Sequence, residues 1–399
     1  MTTHSLDVAA LRAQFPALQR VLDGKTPIYF DNPAGTQVPQ RVIDAVTYYF
    51  AETNANQGGT FETSRATDAM VQTVREKMAR FINASRADEI VFGANMTTLN
   101  FALSRALATT LKSGDEIVLT RMDHDANVAP WLRIAQDHDL VVRFVDIIEA
   151  DCTLDLDTLE SVLTDRTKIV ATVHASNAVG TINPVAQIAA MAHAAGAVYV
   201  VDAVQSAPHI PIDVQAIGCD FLLCSSYKFF GPHAGIMWGR YDLLDRLPAY
   251  KVRPAKDIPP FKWETGTPAF ELIAGIGAAV DYLTAVGIHD MVLYERDLAA
   301  HLIDVLQHTA VAHIAGITDL ARLHERVPTV VFSLDGYTPT QVAAHMAARG
   351  IYVWDGNYYA VEIMHRLNKP DGMVRVGLAH YNTHEEIDRF AAVLDELIL

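Results

Sequence analysis

Through the middle of the chain, short apolar runs rich in β-branched residues alternate with stretches whose apolar positions recur every three or four residues. The strand-like runs are 117–120, 141–147, 168–175, 197–202, 221–225 and 235–239, and segments 129–138, 156–163 and 184–195 between them have helical spacing. This alternation predicts parallel βαβ units, and so an α/β sheet with helices on both faces. Sheets of that kind bind ligands at the carboxyl ends of their strands, which directs attention to the polar residues just after each run. The rhythm changes near Pro259. Long helices are predicted over 271–286 and 291–308, a strand over 329–334 and a helix over 340–349. An amphipathic segment then opens on the capping box Thr383-His384-Glu385-Glu386 and runs to Leu399. The pattern predicts a large α/β domain over 1–260 and a smaller α+β domain over 261–399.

Composition narrows the function classes. Half of the 399 residues are hydrophobic, enough for large cores, and the formal net charge of −16 disfavours nucleic acid and anionic membranes as partners. Cys152, Cys219 and Cys224 have no metal-binding or redox spacing, which argues for a reducing compartment and against a disulfide framework or a zinc site. The first residues, Met1 to Asp7, lack the basic start and apolar stretch of a signal peptide, and the most apolar segment, 188–201, is too short to span a bilayer. These features predict a soluble cytoplasmic protein.

Several polar groups follow the predicted strands. Lys228 lies just beyond 221–225, in Ser225-Ser226-Tyr227-Lys228, where partial desolvation would lower its pKa and free the amine for Schiff-base chemistry. Taken alone, a lysine in a loop is more often a surface residue. Asp202 ends the run 197–202, and a buried carboxylate there needs a partner such as a protonated pyridine nitrogen, or else caps a helix. The segment Gly93-Ala94-Asn95-Met96-Thr97-Thr98 is a strand-to-helix junction with exposed N–H groups, suited to a phosphate or to ordinary capping. His124 follows 117–120 and could stack on an aromatic cofactor, whereas Asn177 follows 168–175 and could donate to a phenolate oxygen. The aspartates beside His124 also permit a metal reading, but ligands adjacent in sequence seldom converge on one ion. Each signal is weak alone; together they fall along one sheet edge.

Their order and wording resemble the class V aminotransferase superfamily, and within it the cysteine desulfurase and selenocysteine lyase branch. The resemblance runs from Tyr29-Phe30-Asp31-Asn32-Pro33-Ala34, through His124-Asp125-Ala126-Asn127 with Pro130-Trp131 and His174-Ala175-Ser176-Asn177, to Leu378-Ala379-His380-Tyr381-Asn382-Thr383. It implies the type I fold of pyridoxal-phosphate (PLP) enzymes, with a mostly parallel seven-stranded sheet in the large domain. Catalytic roles fall to Lys228 as Schiff-base lysine and proton carrier, Asp202 as partner of the pyridinium and His124 as stacking residue. Asn177 and Gln205 would contact the ring oxygen, and Asn95, Met96, Thr97, Ser225 and Tyr227 the phosphate. Thr267, in Glu264-Thr265-Gly266-Thr267-Pro268, would reach the neighbouring subunit's phosphate, which implies a homodimer with shared sites. Arg375 would clamp the substrate carboxylate, with Asn32 and Tyr359 also at the substrate.

The resemblance breaks where a desulfurase carries its sulfur-accepting cysteine. The matching stretch, Ile351-Tyr352-Val353-Trp354-Asp355-Gly356-Asn357-Tyr358-Tyr359-Ala360, has none, and Tyr359 falls near that position. Asn56-Gln57 stands where a His-Arg pair is usual. A more neutral and aromatic wall, with Trp354, Tyr358 and Tyr359, would suit a bulkier or more apolar substrate, unless these rings only pack the small domain. The expected activity is therefore that of a desulfurase-like carbon–sulfur lyase or an aminotransferase on an α-amino acid, without a persulfide. An epimerase of the same fold and a non-catalytic partner of a true desulfurase remain as alternatives.

Overall fold

The computed structural model describes residues 6–22 and 24–398; Met1 to Ser5, part of the stretch read for a targeting signal, and Leu399 lie outside it. Its centre is a seven-stranded sheet. In spatial order the strands are Ile90–Gly93, Gly235–Gly239, Phe221–Ser225, Val198–Asp202, Thr167–Val173, Glu116–Thr120 and Val141–Val145. All but one run in the same direction. Gly235–Gly239 is antiparallel to both neighbours, because only a short turn separates it from Ser225 and no crossover helix fits there. The run 141–147 divides: its last residues leave the sheet and pair with Thr153–Leu154 in a separate hairpin.

Two cores flank this sheet, as expected where both faces are covered by helices. Val91, Leu119, Ala171, Val200 and Leu223 point into one, with the helices Met96–Ala108 and Ala129–His138 over them. Ile90, Val118, Val170, Val201 and Leu222 point into the other. The helix Glu62–Phe81, absent from the pattern reading, belongs to this second layer. Its polar composition hides a narrow buried face of Val71, Val74 and Met78. Phe270–Val286, assigned by pattern to the smaller domain, packs across Gln40–Tyr48 and Glu62–Phe81 and buries Ile273, Ile276 and Val280 in the same core.

A four-stranded antiparallel sheet, in the order Ala312–Ala315, Thr329–Leu334, Met373–Gly377 and Trp354–Gly356, holds a third core with Ile288–His308 and His384–Ile398. The capping box is present: the Glu386 N–H donates to Thr383 Oγ1 and the Thr383 N–H to Glu386 Oε2, both at 3.3 Å. The N-terminal segment ties to this sheet, since Ile28–Tyr29 pairs with Ile351–Tyr352 and Asp31 bridges Gly377. Among the described residues no single helix is long and apolar enough to cross a membrane. The bent pair Phe270–Val286 and Ile288–His308 passes by composition, but its apolar faces are buried in these cores.

Candidate active site

The carboxyl ends of the parallel strands and the edge of the small sheet enclose a cavity of about 830 Å³. Because the strands share one direction, the residues just beyond them meet at one edge. Asn95, His124, Asn177, Asp202 and Lys228 come from five different strand ends and all line the cavity, as do Met96, Thr97, Gln205, Ser225, Tyr227, Tyr359 and Arg375.

Lys228 ends the short 3₁₀ turn Ser226–Lys228 and is 9 % exposed. Its Nζ donates to the Pro33 carbonyl and lies 4.8 Å from the centre of the Tyr227 ring. Burial and then the Arg375 charge lower its pKa to about 7, against the opposing pull of Asp31 and Asp202. Asp202 is buried and accepts only the Val204 N–H, at 2.9 Å; desolvation raises its carboxyl pKa to about 6. His124 Nδ1 accepts the Ala126 N–H at 3.0 Å, and burial lowers its pKa to about 4, so the ring is neutral at pH 7.

Two amides present unsatisfied oxygens. Asn177 donates through Nδ2 to the Tyr358 carbonyl at 2.9 Å and Gln205 through Nε2 to the Pro33 carbonyl at 2.7 Å, while Asn177 Oδ1 and Gln205 Oε1 are buried without partners. Buried polar atoms left unpaired are costly, and both residues border the cavity. Asn95 caps the helix Met96–Ala108 through its side chain, and the Met96 N–H donates to Ser225 Oγ at 3.0 Å. This helix start presses against Gly235, where a Cβ would stand 2.6 Å from the Asn95 carbonyl oxygen. Gly235→Ala is expected to displace that turn, lowering thermal stability by about 1–3 kcal/mol and weakening PLP uptake; an unchanged melting temperature and unchanged uptake would refute the close fit.

Arg375 sits mid-strand in Met373–Gly377 and is 3 % exposed. It pairs with Asp31 at 3.3 Å, donates to the Asn177 carbonyl at 3.0 Å and lies 4.3 Å from the centre of the Tyr358 ring, with its Nε unpartnered. Tyr358 and Tyr359 both have positive φ, 54° and 57°, a conformation disfavoured for bulky side chains. Hydrogen bonds hold this turn: the Tyr358 hydroxyl donates to the Met373 carbonyl, and the Tyr359 carbonyl accepts the Asp125 N–H at 2.7 Å. The Tyr359 ring is exposed, 5.6 Å from the His124 ring.

Of the expected residues, one is elsewhere and one was assigned to a neighbouring subunit's site. Asn32 does not reach the cavity: its Nδ2 donates to Gly377 O at 2.7 Å and Asn382 Oδ1 at 3.1 Å, and its Oδ1 accepts the Tyr381 hydroxyl, so the amide joins the N-terminal segment to the C-terminal motif. Thr267 is exposed and outside the cavity of its own chain. Asp31, beside Asn32, is the residue that engages Arg375, and only folding reveals that pairing. Asp123 is a second unforeseen carboxyl. It is buried, accepts Asn127 Nδ2 at 2.7 Å and has its pKa raised to about 8, first by desolvation and also by Asp202. The cavity wall is also not neutral, since Asp125, Asp355 and Asp371 line it along with Trp354 and Tyr359.

The three cysteines are all buried. Desolvation raises the thiol pKa of Cys152 to about 11 and of Cys224 to about 12, and raises that of Cys219 as well. None lines the cavity.

The aminotransferase class-V family model matches residues 28–390. The chain belongs to the class V aminotransferase family. Its similarity extends over whole proteins. A probable cysteine desulfurase of Synechocystis is 35 % identical over 98 % of this chain and 95 % of its own length. A cysteine desulfurase of Pectobacterium atrosepticum is 34 % identical, covering 98 % of each. The apo structure of a cysteine desulfurase from Thermococcus onnurineus superposes with a TM-score of 0.90 at 28 % identity, covering 100 % of this chain and 99 % of that one. The fold is thus that of the type I PLP enzymes, and the chain is a PLP-dependent class V enzyme.

Proposed function

We propose that this enzyme acts on an α-amino acid as a desulfurase-like carbon–sulfur lyase that uses no protein thiol. The observation that carries the reading is Lys228, buried and enclosed with Asp202 and Arg375 in a cavity that no cysteine lines, its pKa lowered by burial.

The residues present fit the cofactor. Asp202, desolvated and with a single N–H partner, would accept a protonated ring nitrogen. His124, neutral, would lie against the ring, and Asn177 and Gln205 would meet its oxygen substituent by turning their amide N–H groups from the Tyr358 and Pro33 carbonyls. Asn95, Met96, Thr97, Ser225 and Tyr227 would hold the phosphate at the helix start. Bound PLP supplies an electron-withdrawing ring that acidifies the substrate's α-proton. Lys228 Nζ is the base that takes this proton, its lowered pKa keeping a substantial share of it unprotonated near pH 7. Arg375 turns its guanidinium from Asp31 toward the substrate carboxylate. The buried thiols, with raised pKa values, are poor sulfur acceptors, so sulfur would leave as a free thiol or sulfide.

Arg375→Ala is expected to lower kcat/KM about a hundredfold or more, because it removes the clamp and leaves Asp31 half-buried without its partner; a change under threefold would exclude the clamp. The reaction itself is tested with an amino-acid panel assayed for sulfide or thiol, pyruvate and amino transfer. Thiol and pyruvate in equal amounts support the lyase. Amino transfer without thiol would assign transamination instead, and sulfide with alanine as co-product would restore a persulfide route.

The homodimer proposal is supported by exposed Tyr48, Phe50 and Phe61, an apolar set suited to a subunit interface, and by Thr267 standing outside its own chain's cavity. A monomer by sedimentation would refute it. Free cysteines support a reducing, cytoplasmic setting.

A further inference from the structure

The cavity is electrically layered. Its two cations, Lys228 and Arg375, are buried at the bottom beside Asp202 and Asp31. Farther out the charge changes sign. Asp125 and Asp355 are half-buried in the wall and Asp371 is exposed at it. Among the described residues none of these three carboxylates is ion-paired, and no further lysine or arginine lines the cavity. Asp355 accepts only the Thr340 hydroxyl, at 2.6 Å. The Trp354 and Tyr359 rings, 52 % and 69 % exposed, lie along the same wall.

The buried end of the cavity sets the direction of a ligand on the proposed function. Asn177 and Arg375 are at least nine-tenths buried and line the same cavity, each with a polar atom, Oδ1 and Nε, that lacks a partner. On that reading Arg375 and Lys228 take the α-carboxylate and amino end, so the side chain runs outward past the acidic wall. Carboxylates without counter-charges repel an anionic end and attract a cationic one, and aromatic faces add to the attraction. The whole chain, at −16, draws cations toward the opening.

We infer that the substrate is an α-amino acid whose side chain ends in a cation, an ammonium, guanidinium or quaternary ammonium group, held by Asp125, Asp355 and Asp371 beside Trp354 and Tyr359. This rests on the assignment of Lys228 and Arg375 to the amino-acid end. For a carbon–sulfur lyase the class is a cysteine whose sulfur bears a cationic alkyl group. Elimination then breaks the Cα–H and Cβ–S bonds; Lys228 takes the α-proton and returns it to the departing sulfur, so that the leaving group is a thiol bearing the cation. Water converts the remaining three-carbon unit to pyruvate and ammonia, with no oxidant needed.

The test uses three probes of similar size: S-(2-aminoethyl)cysteine, S-propylcysteine and S-(2-carboxyethyl)cysteine. Their α-methyl forms have no α-proton to lose, so their dissociation constants on the PLP-loaded enzyme can be read by calorimetry without turnover. A cation about 6 Å from one half-exposed carboxylate gains about tenfold in affinity. The aminoethyl probe is therefore expected to bind at least about tenfold tighter than the propyl probe, and the carboxyethyl probe weakest. The difference should shrink at high salt, and Asp355→Asn combined with Asp371→Asn should collapse the aminoethyl-to-propyl ratio. Equal binding of the three, tightest binding of the carboxyethyl probe, or an unaltered ratio in the double variant overturns the inference. Arg375→Ala should weaken all three alike. If that variant changes nothing, or no probe binds, the amino-acid reading fails as well; if it weakens all three while their order shows no charge preference, only the cationic side chain is refuted.

Discussion

Lys228→Ala is expected to fold normally, to lose the visible absorbance that borohydride abolishes in the PLP-loaded wild type, and to turn over substrate about 10² to 10⁴ times more slowly, the range for removal of a positioned base. The size follows from where the lysine stands. The strand Phe221–Ser225 delivers it into the cavity, and the turn Ser226–Lys228 leaves its side chain almost without water. Burial, reinforced by Arg375, brings the pKa down to about 7. A substantial share of the amine is then free at pH 7, against roughly three parts in ten thousand for an ordinary lysine. The rate at which added PLP is captured by the apo-protein should accordingly rise as pH passes through about 7 and level off above it. Linkage gives the sign for stability. The folded pKa is depressed below the unfolded value, so between about 7 and 10.5 the unfolded chain binds the extra proton, and stability rises with pH in that window. Holding this lysine therefore costs stability at pH 7, and apo Lys228→Ala should melt no more than about 3 °C below the wild type. A reducible chromophore retained in the variant would refute the assignment.

Asp202→Asn is expected to keep the fold and the cavity while lowering kcat by about 10² to 10³, as for loss of one preorganised charge in a water-poor site. The substitution is nearly isosteric, and the amide oxygen can still accept the Val204 N–H. What disappears is the anion that would hold the cofactor ring protonated. Desolvation raises the Asp202 pKa to about 6 in the cofactor-free protein. The folded state then binds the extra proton between about pH 4 and 6, so this residue lowers stability as pH rises through that window, a slope the asparagine variant should lack. Activity within threefold of wild type, with an unshifted visible spectrum, would remove Asp202 from the mechanism.

The contrast between Asn32 and Asp31 shows where sequence reading stops. Both lie in one motif, and the motif marks the segment as important without saying which side chain faces inward. The strand pairing of Ile28–Tyr29 with Ile351–Tyr352 and the bridge at Gly377 decide it, turning Asn32 toward Tyr381 and Asn382 and Asp31 toward Arg375. The acidic wall has the same character. Asp355 and Asp371 flank one pair of adjacent strands while Asp125 comes from a distant segment, and no local pattern announces that the three share a cavity. The helix Glu62–Phe81 escaped for a simpler reason: its narrow apolar face is diluted by polar residues that stay in solvent.

By itself the sequence determined the sheet and the polar residues that gather at its carboxyl edge. Buried parallel strands demand continuous apolar runs with polar residues at their ends, so Asn95, His124, Asn177, Asp202 and Lys228 were legible one strand at a time. Only the tertiary structure decided what surrounds Arg375 and Tyr359, because that half of the cavity is built where the small sheet meets the strand ends. There Arg375 is held by Asp31, the Tyr358–Tyr359 turn is fastened to Asn177 and Asp125, and three carboxylates stand without counter-charges. Those are contacts between residues far apart in the chain, and hydrophobic periodicity is a local signal that carries no information about them.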